Sequence, residues 1–290
     1  MLMITLSLTA AFAYSLYALG SHRLVRVVSW VTLALVMFVA GVALFLVPAL
    51  LVDGLPTGAG QLRDAGLAAL GGLLYAAATP CFLLALRVGR LSLVTVLACL
   101  DGAFAAVISI ALGERVGAMA IVGLVCAATG GLLAAVERRS DDVKGGASRR
   151  PGWRLAAGAG LAVLTSLIMA GLFICYGAID GFSAFTTVTI GSVAGLAVML
   201  PVAVVRHAVT PPREQAIGVA GVSVLDALAL LAGSAGLALG PVSIAAVLQA
   251  QTATLSTLLG LAVLHERPAW WQAAGIATTI VGVSLLAWSM

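Results

Sequence analysis

Residues 112–131 read LGERVGAMAIVGLVCAATGG, and residues 264–283 read LHERPAWWQAAGIATTIVGV. Aligned over 113–136 and 265–288, six of 24 positions are identical: Glu114/Glu266, Arg115/Arg267, Gly123/Gly275, Gly130/Gly282, Leu133/Leu285 and Ala135/Ala287. Glu114 and Glu266 stand 152 residues apart, about half of a 290-residue chain. Self-similarity at half the chain length points to duplication.

Composition sets the solvent. Hydrophobic residues make up 62% of the chain, charged residues 9%, and the mean hydropathy is +1.17. A soluble domain carries roughly 25% charged residues, so this chain belongs in a bilayer. The net charge of +4 is small, and no feature suits a nucleic-acid partner. Cys81, Cys99, Cys126 and Cys175 lie in apolar runs without CxxC spacing, which reads as small buried hydrophobes and not as a disulfide or metal site. A spanning helix needs roughly 20 apolar residues. Such runs fall at 2–20, 29–51, 65–86, 91–112, 116–136, 155–178, 182–205, 215–239, 241–264 and 269–289. The first lacks a basic leader, since Arg23 and Arg26 follow it, and so reads as a membrane helix instead of a signal peptide. No room is left for a water-soluble domain.

The segment 137–154, ERRSDDVKGGASRRPGWR, holds nine of the 26 charged residues and separates five apolar runs from five. It reads as a hydrophilic linker between repeats at 1–136 and 155–290. The likeness extends upstream: Gly89-Arg-Leu-Ser92 matches Gly240-Pro-Val-Ser243, and Val96-Leu97 matches Val247-Leu248, here 151 residues apart. A one-residue gap therefore lies in the fourth and ninth helix pair. Five is odd, so the second half must enter the membrane opposite to the first. The expected fold is an all-α integral membrane protein, with ten transmembrane helices as two inverted five-helix repeats and a substrate site where they meet.

A turn of Gly113-Glu114-Arg115 or His265-Glu266-Arg267 opens the last helix of each half, with glycines seven apart beyond it. With the two five-helix halves, this resembles the EamA family of the drug/metabolite transporter superfamily over essentially the whole chain. His265 and Pro268 depart from the first copy. The resemblance implies a bacterial inner-membrane transporter, most often an exporter of amino acids, other metabolites or toxic compounds. It also implies a helical bundle around a central cavity.

Glu114 and Glu266 suit the positive ends of the fifth and tenth helices, with Arg115 and Arg267 reaching the interface; a gate at the cavity mouth is the other reading. Gly123, Ala127 and Gly130, like Gly275, Thr279 and Gly282, make small-residue faces for close packing. Gly191-Ser-Val-Ala-Gly195 permits close approach inside the bundle or between two protomers.

Only Asp101 and Asp226 are ionisable residues well inside apolar spans. A carboxylate at the bilayer centre costs about 2.5–3.5 kcal/mol on insertion scales and marks a pathway or proton relay by default; a neutral, packed acid is the alternative. Ser223 and Gly233 share the face of Asp226, which would make it polar and open. The face of Asp101 (Leu97, Ala98, Phe104, Ala105, Ile108) is apolar. Tyr75, with Thr79 a turn later, is the first-half position matching Asp226. Gln249, Thr252 and Ser256 share one side of the ninth helix, with Gln249 and Thr252 suited to line a cavity and Gln251 to tie helices together. Tyr14 and Tyr17, and Thr165, Met169 and Tyr176, form similar stripes that suit either core or substrate contact.

No GxxxxGK[ST], HExxH or GxSxG pattern is present, so the chain reads as a secondary carrier and not as an ATP-driven pump or an enzyme. The partners expected are the bilayer, a small-molecule substrate and coupled protons, with no cofactor. A channel or lipid-moving protein on the same fold is the nearer rival, and an intramembrane enzyme using the two aspartates the remoter one. Thirteen of 15 Lys and Arg fall in odd-numbered loops, with only Arg63 and Arg115 in even ones. The positive-inside rule then places both termini outside, whereas the resemblance implies both inside.

Overall fold

The computed structural model describes residues 1–54, 58–88, 94, 97–135, 152–207, 213–252, 254–255 and 270–289. Most of the linker, the Gly89–Ser92 motif, Ser256 and the second Glu-Arg turn (Glu266, Arg267) lie outside these residues. The described residues contain no strand. They form α1 (Leu2–Leu24), α2 (Trp30–Val52), α3 (Ala59–Val88), α4 (Leu100–Ala111), α5 (Ala118–Ala135), α6 (Gly152–Gly177), α7 (Ala184–Val205), α8 (Ala216–Ala238), α9 (Val242–Gln249) and α10 (Trp270–Trp288). Helices are what an apolar solvent demands, because each segment must satisfy its own backbone hydrogen bonds.

Seven of these helices are long and apolar enough to cross a membrane; α4 and α5 are shorter apolar helices. Their outward side chains, among them Val47, Val107, Ile217 and Val281, are large and apolar, as lipid contact requires. Ser29 caps α2 by accepting from the Val31 N–H at 3.3 Å. Gly113 turns the chain between α4 and α5 at φ 103°, a conformation costly for any residue with a Cβ.

Two expectations need correction. The third helix begins at Ala59 and not at 65, taking in Arg63 and Asp64. An apolar count stops at charges, whereas the backbone ladder does not, and Asp64 finds its own partner at Gly181, 2.8 Å away. The runs 91–112 and 241–264 are each interrupted: the chain turns at Cys99 before α4, and again at Ala250 and Gln251 after α9. No glycine or proline marks either break, so the sequence carries no local signal for it.

Helix neighbours follow one pattern. α5 packs on α10, α4 on α9 and α2 on α7. The α3–α6 contact is matched by α8–α1, α3–α7 by α8–α2, and α4–α6 by α9–α1. Exchanging α1–α5 for α6–α10 thus maps these contacts onto one another.

Small residues set the closest seams. A Cβ on Gly130 would lie 2.5 Å from the Thr279 backbone nitrogen, and one on Gly123 would lie 3.0 Å from Leu286. The two small-residue faces therefore meet each other within the chain. A Cβ on Gly72 would strike the Gly191 backbone, and Gly195 lies against Phe38, so this GxxxG serves internal packing.

Candidate functional site

A cavity of about 90 Å³ lies where α1, α3, α4, α6 and the α9 break converge. Space of this size holds a few water molecules or a very small solute. From α1 it takes Tyr14, Tyr17 and Ala18; from α3, Tyr75, Thr79 and Phe82. The α4 break adds Ala98, Cys99 and Asp101, α6 adds Thr165, Met169 and Phe173, and the second half closes the wall with Gln249, Ala250 and Thr252.

The lining repeats at a fixed interval. Tyr14 and Thr165, Ala18 and Met169, Ala98 and Gln249, Cys99 and Ala250, and Asp101 and Thr252 each stand 151 residues apart, and every member lines the cavity. The cavity therefore sits where equivalent positions of the two halves face each other.

The helix breaks free backbone carbonyls, and buried polar groups must find partners. Ser166 donates to Leu97 O at 2.6 Å and to Ala98 O at 3.1 Å. Ser15, 151 residues before it, donates to Thr252 O at 2.9 Å beside the other break. Gln251 completes the second break by donating to Val247 O at 3.0 Å and to Ala127 O at 3.2 Å, tying the ninth segment to α5.

Of the sequence candidates, Tyr75, Asp101, Gln249 and Thr252 line the cavity. Asp226 and Ser223 are not among the lining residues. Asp226 is 2% exposed and accepts a hydrogen bond from the Tyr75 hydroxyl. These two residues are again 151 apart, so the pair joins equivalent positions of α3 and α8. Tyr75 thereby stands between Asp226 and the cavity. The face of Asp226 is not open: Ser223 is wholly buried, and Gly233 packs on Gln249, whose amide donates to its carbonyl at 3.1 Å. The break at Cys99 detaches Leu97 and Ala98 from the face of Asp101, while Phe104, Ala105 and Ile108 keep their helical spacing from it on α4. Its Oδ1 accepts the Gly102 N–H at 2.6 Å. Tyr176 lies outside the cavity, packed against Gly71 and Gly191.

Away from the cavity, three carboxylates fasten one end of the bundle. Asp53, following α2, accepts from Ser183 N at 2.8 Å and Ser183 Oγ at 2.6 Å, at the start of α7. Asp64, near the start of α3, holds Gly181 in the α6–α7 turn. Glu114 accepts from the Ser243 backbone N–H at 3.2 Å and from the Ser243 hydroxyl. The helix start that Glu114 serves is thus that of α9 and not of its own α5, which begins four residues later. Arg115 is exposed. Cys81, Cys99, Cys126 and Cys175 form no disulfide and are half-buried, not buried. Among the described residues no cluster of His, Cys, Asp and Glu is arranged to hold a metal.

Comparison with known proteins agrees with this architecture. A solved structure titled only as the crystal structure of a protein superposes with a TM-score of 0.75 at 18% identity, covering 98% of this chain and 95% of that one. That likeness shows the fold alone. No curated protein matches. The profile of the EamA-like transporter family matches residues 1–136 and 156–288, nearly the whole chain in two stretches divided at the charged linker. A multi-pass helical chain with a cavity at the seam of two such stretches belongs to the EamA-like transporter family, and is a membrane transporter of the drug/metabolite type.

Proposed function

We propose that the chain is a secondary carrier that exports a small metabolite, amino acid or drug-like compound by alternating access. In this reading, inverted halves 1–136 and 155–290 rock about the cavity, and protons drive the cycle through Asp226. The observation that carries the proposal is the cavity wall itself, to which five residue pairs 151 apart contribute. Alternating access needs two matched halves around one site; a pore or a catalytic aspartate pair does not.

Two further features support it. Tyr14, Tyr17, Tyr75 and Phe82 lie in the C-terminal halves of α1 and α3. The three carboxylate contacts fasten the other end, where α3, α7 and α9 begin. A cavity displaced toward one end while the other is tied suits one state of such a cycle. Asp226 is buried in the membrane-spanning region and one hydroxyl away from the cavity. A proton moving on or off it must rearrange Tyr75, and with it the wall.

The test is flux in proteoliposomes under an imposed pH gradient. Asp226→Asn keeps size and hydrogen bonding but removes the titratable proton. It is expected to fold at wild-type yield and to lose the pH-gradient dependence of transport, with Asp101→Asn doing less to that dependence. Unchanged gradient dependence in Asp226→Asn would remove Asp226 from the coupling role. Flux that fails to saturate with solute would identify a channel instead.

A further inference from the structure

We propose that the cavity is a site for a small organic cation, with Asp101 as its counter-charge and the Tyr14, Tyr17 and Phe82 rings as its walls. This names a substrate class for the carrier proposed above and rests on that reading. Three independent observations point to it.

The first is charge. Asp101 lines the cavity, and Asp226 lies directly behind Tyr75. Among the described residues no Lys, Arg or His lines it. The second oxygen of Asp101 has no partner among the described residues, Oδ1 being taken by Gly102. A carboxylate in an apolar bundle is costly; the start of α4, on whose first turn Asp101 stands, offsets part of that cost, and a bound cation would offset the rest.

The second is hydrogen-bonding polarity. Most donors of the wall are directed into the protein, the Tyr14 hydroxyl being the exception. Tyr75 donates to Asp226 and Tyr17 to the Met37 sulfur. Thr79 donates to Tyr75 O, Thr165 to Leu161 O, and Thr252 to Gln249 O. The Gln249 amide donates to Gly233 O. What these groups leave facing inward are acceptor lone pairs and a carboxylate. That wall matches a ligand that brings donors or positive charge, and offers an anion few donors beyond the Tyr14 hydroxyl.

The third is shape and field. Tyr14 and Tyr17 meet edge to face with centroids 6.3 Å apart, and Tyr17 stacks on Phe82 at 6.0 Å. Ring faces attract ammonium groups. α9 also ends at this wall, with Gln249 and its C-cap Ala250 both lining the cavity. A helix C-terminus carries the negative end of the dipole and favours cations, as half-helix ends do in other carriers.

The test uses three solutes of one shape and different charge: choline, its neutral isostere 3,3-dimethylbutan-1-ol, and the anion 3,3-dimethylbutanoate. Binding is measured on the full chain in detergent by competition against radiolabelled choline, after size-exclusion chromatography confirms folding. Choline is expected to bind saturably, and both isosteres at least about tenfold more weakly, as loss of a cation–carboxylate and cation–π contact implies. Asp101→Asn should weaken choline by about tenfold or more, while Asp101→Glu, which restores the charge, stays within about threefold. Tyr14→Leu should weaken it by about threefold or more, and Tyr14→Phe should not. An isostere that binds as tightly as choline, unchanged choline affinity in Asp101→Asn, or no saturable choline binding by the folded protein would each overturn the inference. Counterflow in liposomes separates this from the carrier reading. Saturable flux of the anion without choline binding sinks the cation site and leaves the carrier standing. Choline binding without any saturable flux leaves the site standing and sinks the carrier.

Discussion

At Glu114 one side chain closes a contact between the two halves, accepting both the backbone amide and the hydroxyl of Ser243. Hydrogen bonds to a charged group contribute about 1.5–3 kcal/mol each. Glu114→Ala should therefore lower stability by about 2 kcal/mol in a detergent unfolding assay. The exposed neighbour Arg115 should tolerate alanine within about 0.5 kcal/mol. Equal effects would mean that the Glu-Arg turn acts as a unit at the interface and not through Ser243. Asp53 supplies a pH readout at the same end. Its partial burial acts to raise the carboxyl pKa, but hydrogen bonds from Ser183 and Thr186 outweigh that and hold it below its ordinary 3.8. A depressed carboxyl stabilises the fold above its unfolded value and loses that contribution as pH falls through the folded one. The thermal midpoint should thus fall as pH drops below about 4, and Asp53→Asn should remove that component of the fall. The partners of Glu114 and Asp53 lie 129 and 130 residues away, so neither pairing was legible in the local sequence.

Among elements, the α5–α10 and α3–α7 seams are where small residues decide the fold. At Gly72 and Gly130 an added methyl meets backbone, which cannot swing aside; at Gly123 it meets mainly the Leu286 side chain, which can. Gly66 of α3 has nothing within 4 Å of a built Cβ. We predict that Gly72→Ala and Gly130→Ala sharply reduce folded yield, that Gly123→Ala costs less, and that Gly66→Ala is neutral or slightly stabilising, since alanine favours helix over glycine by about 1 kcal/mol. The bulkier Gly123→Leu and Gly275→Leu should both lower yield. Monodisperse yield by size exclusion checks the series, and wild-type yield from Gly130→Ala would refute the seam. Glycines seven apart already marked the α5 and α10 faces in the sequence. The breaks at Cys99 and Ala250 were not marked, because no glycine or proline stands there; they are sustained from outside by Ser166, Ser15 and Gln251.

For the whole molecule, orientation follows from charge. Helices α1, α3 and α7 end, and α8 begins, near Arg23, Arg26, Arg87, Arg206 and Arg213, while Arg63 and Arg115 stand alone at the opposite end. From the positive-inside rule we predict both termini outside the cytoplasm. Reporter fusions at Met290 check this: activity confined to a reporter that works only in the cytoplasm would reverse the assignment and favour the orientation that the family resemblance implied. Composition, apolar run length and the 151–152-residue recurrence were enough to establish a membrane protein of helices, its family likeness and the suggestion of two related halves. Those are properties of the chain in its solvent, set by how much apolar surface must avoid water and how long a helix spans a bilayer. Only the tertiary structure decided that Asp101 faces the cavity while Asp226 hides behind Tyr75, because that depends on a helix break and on an α3–α8 pairing 151 residues apart. Helical periodicity places a side chain on a face of its own helix. What that face meets is determined by the packing of distant segments, and there the chemistry of the site resides.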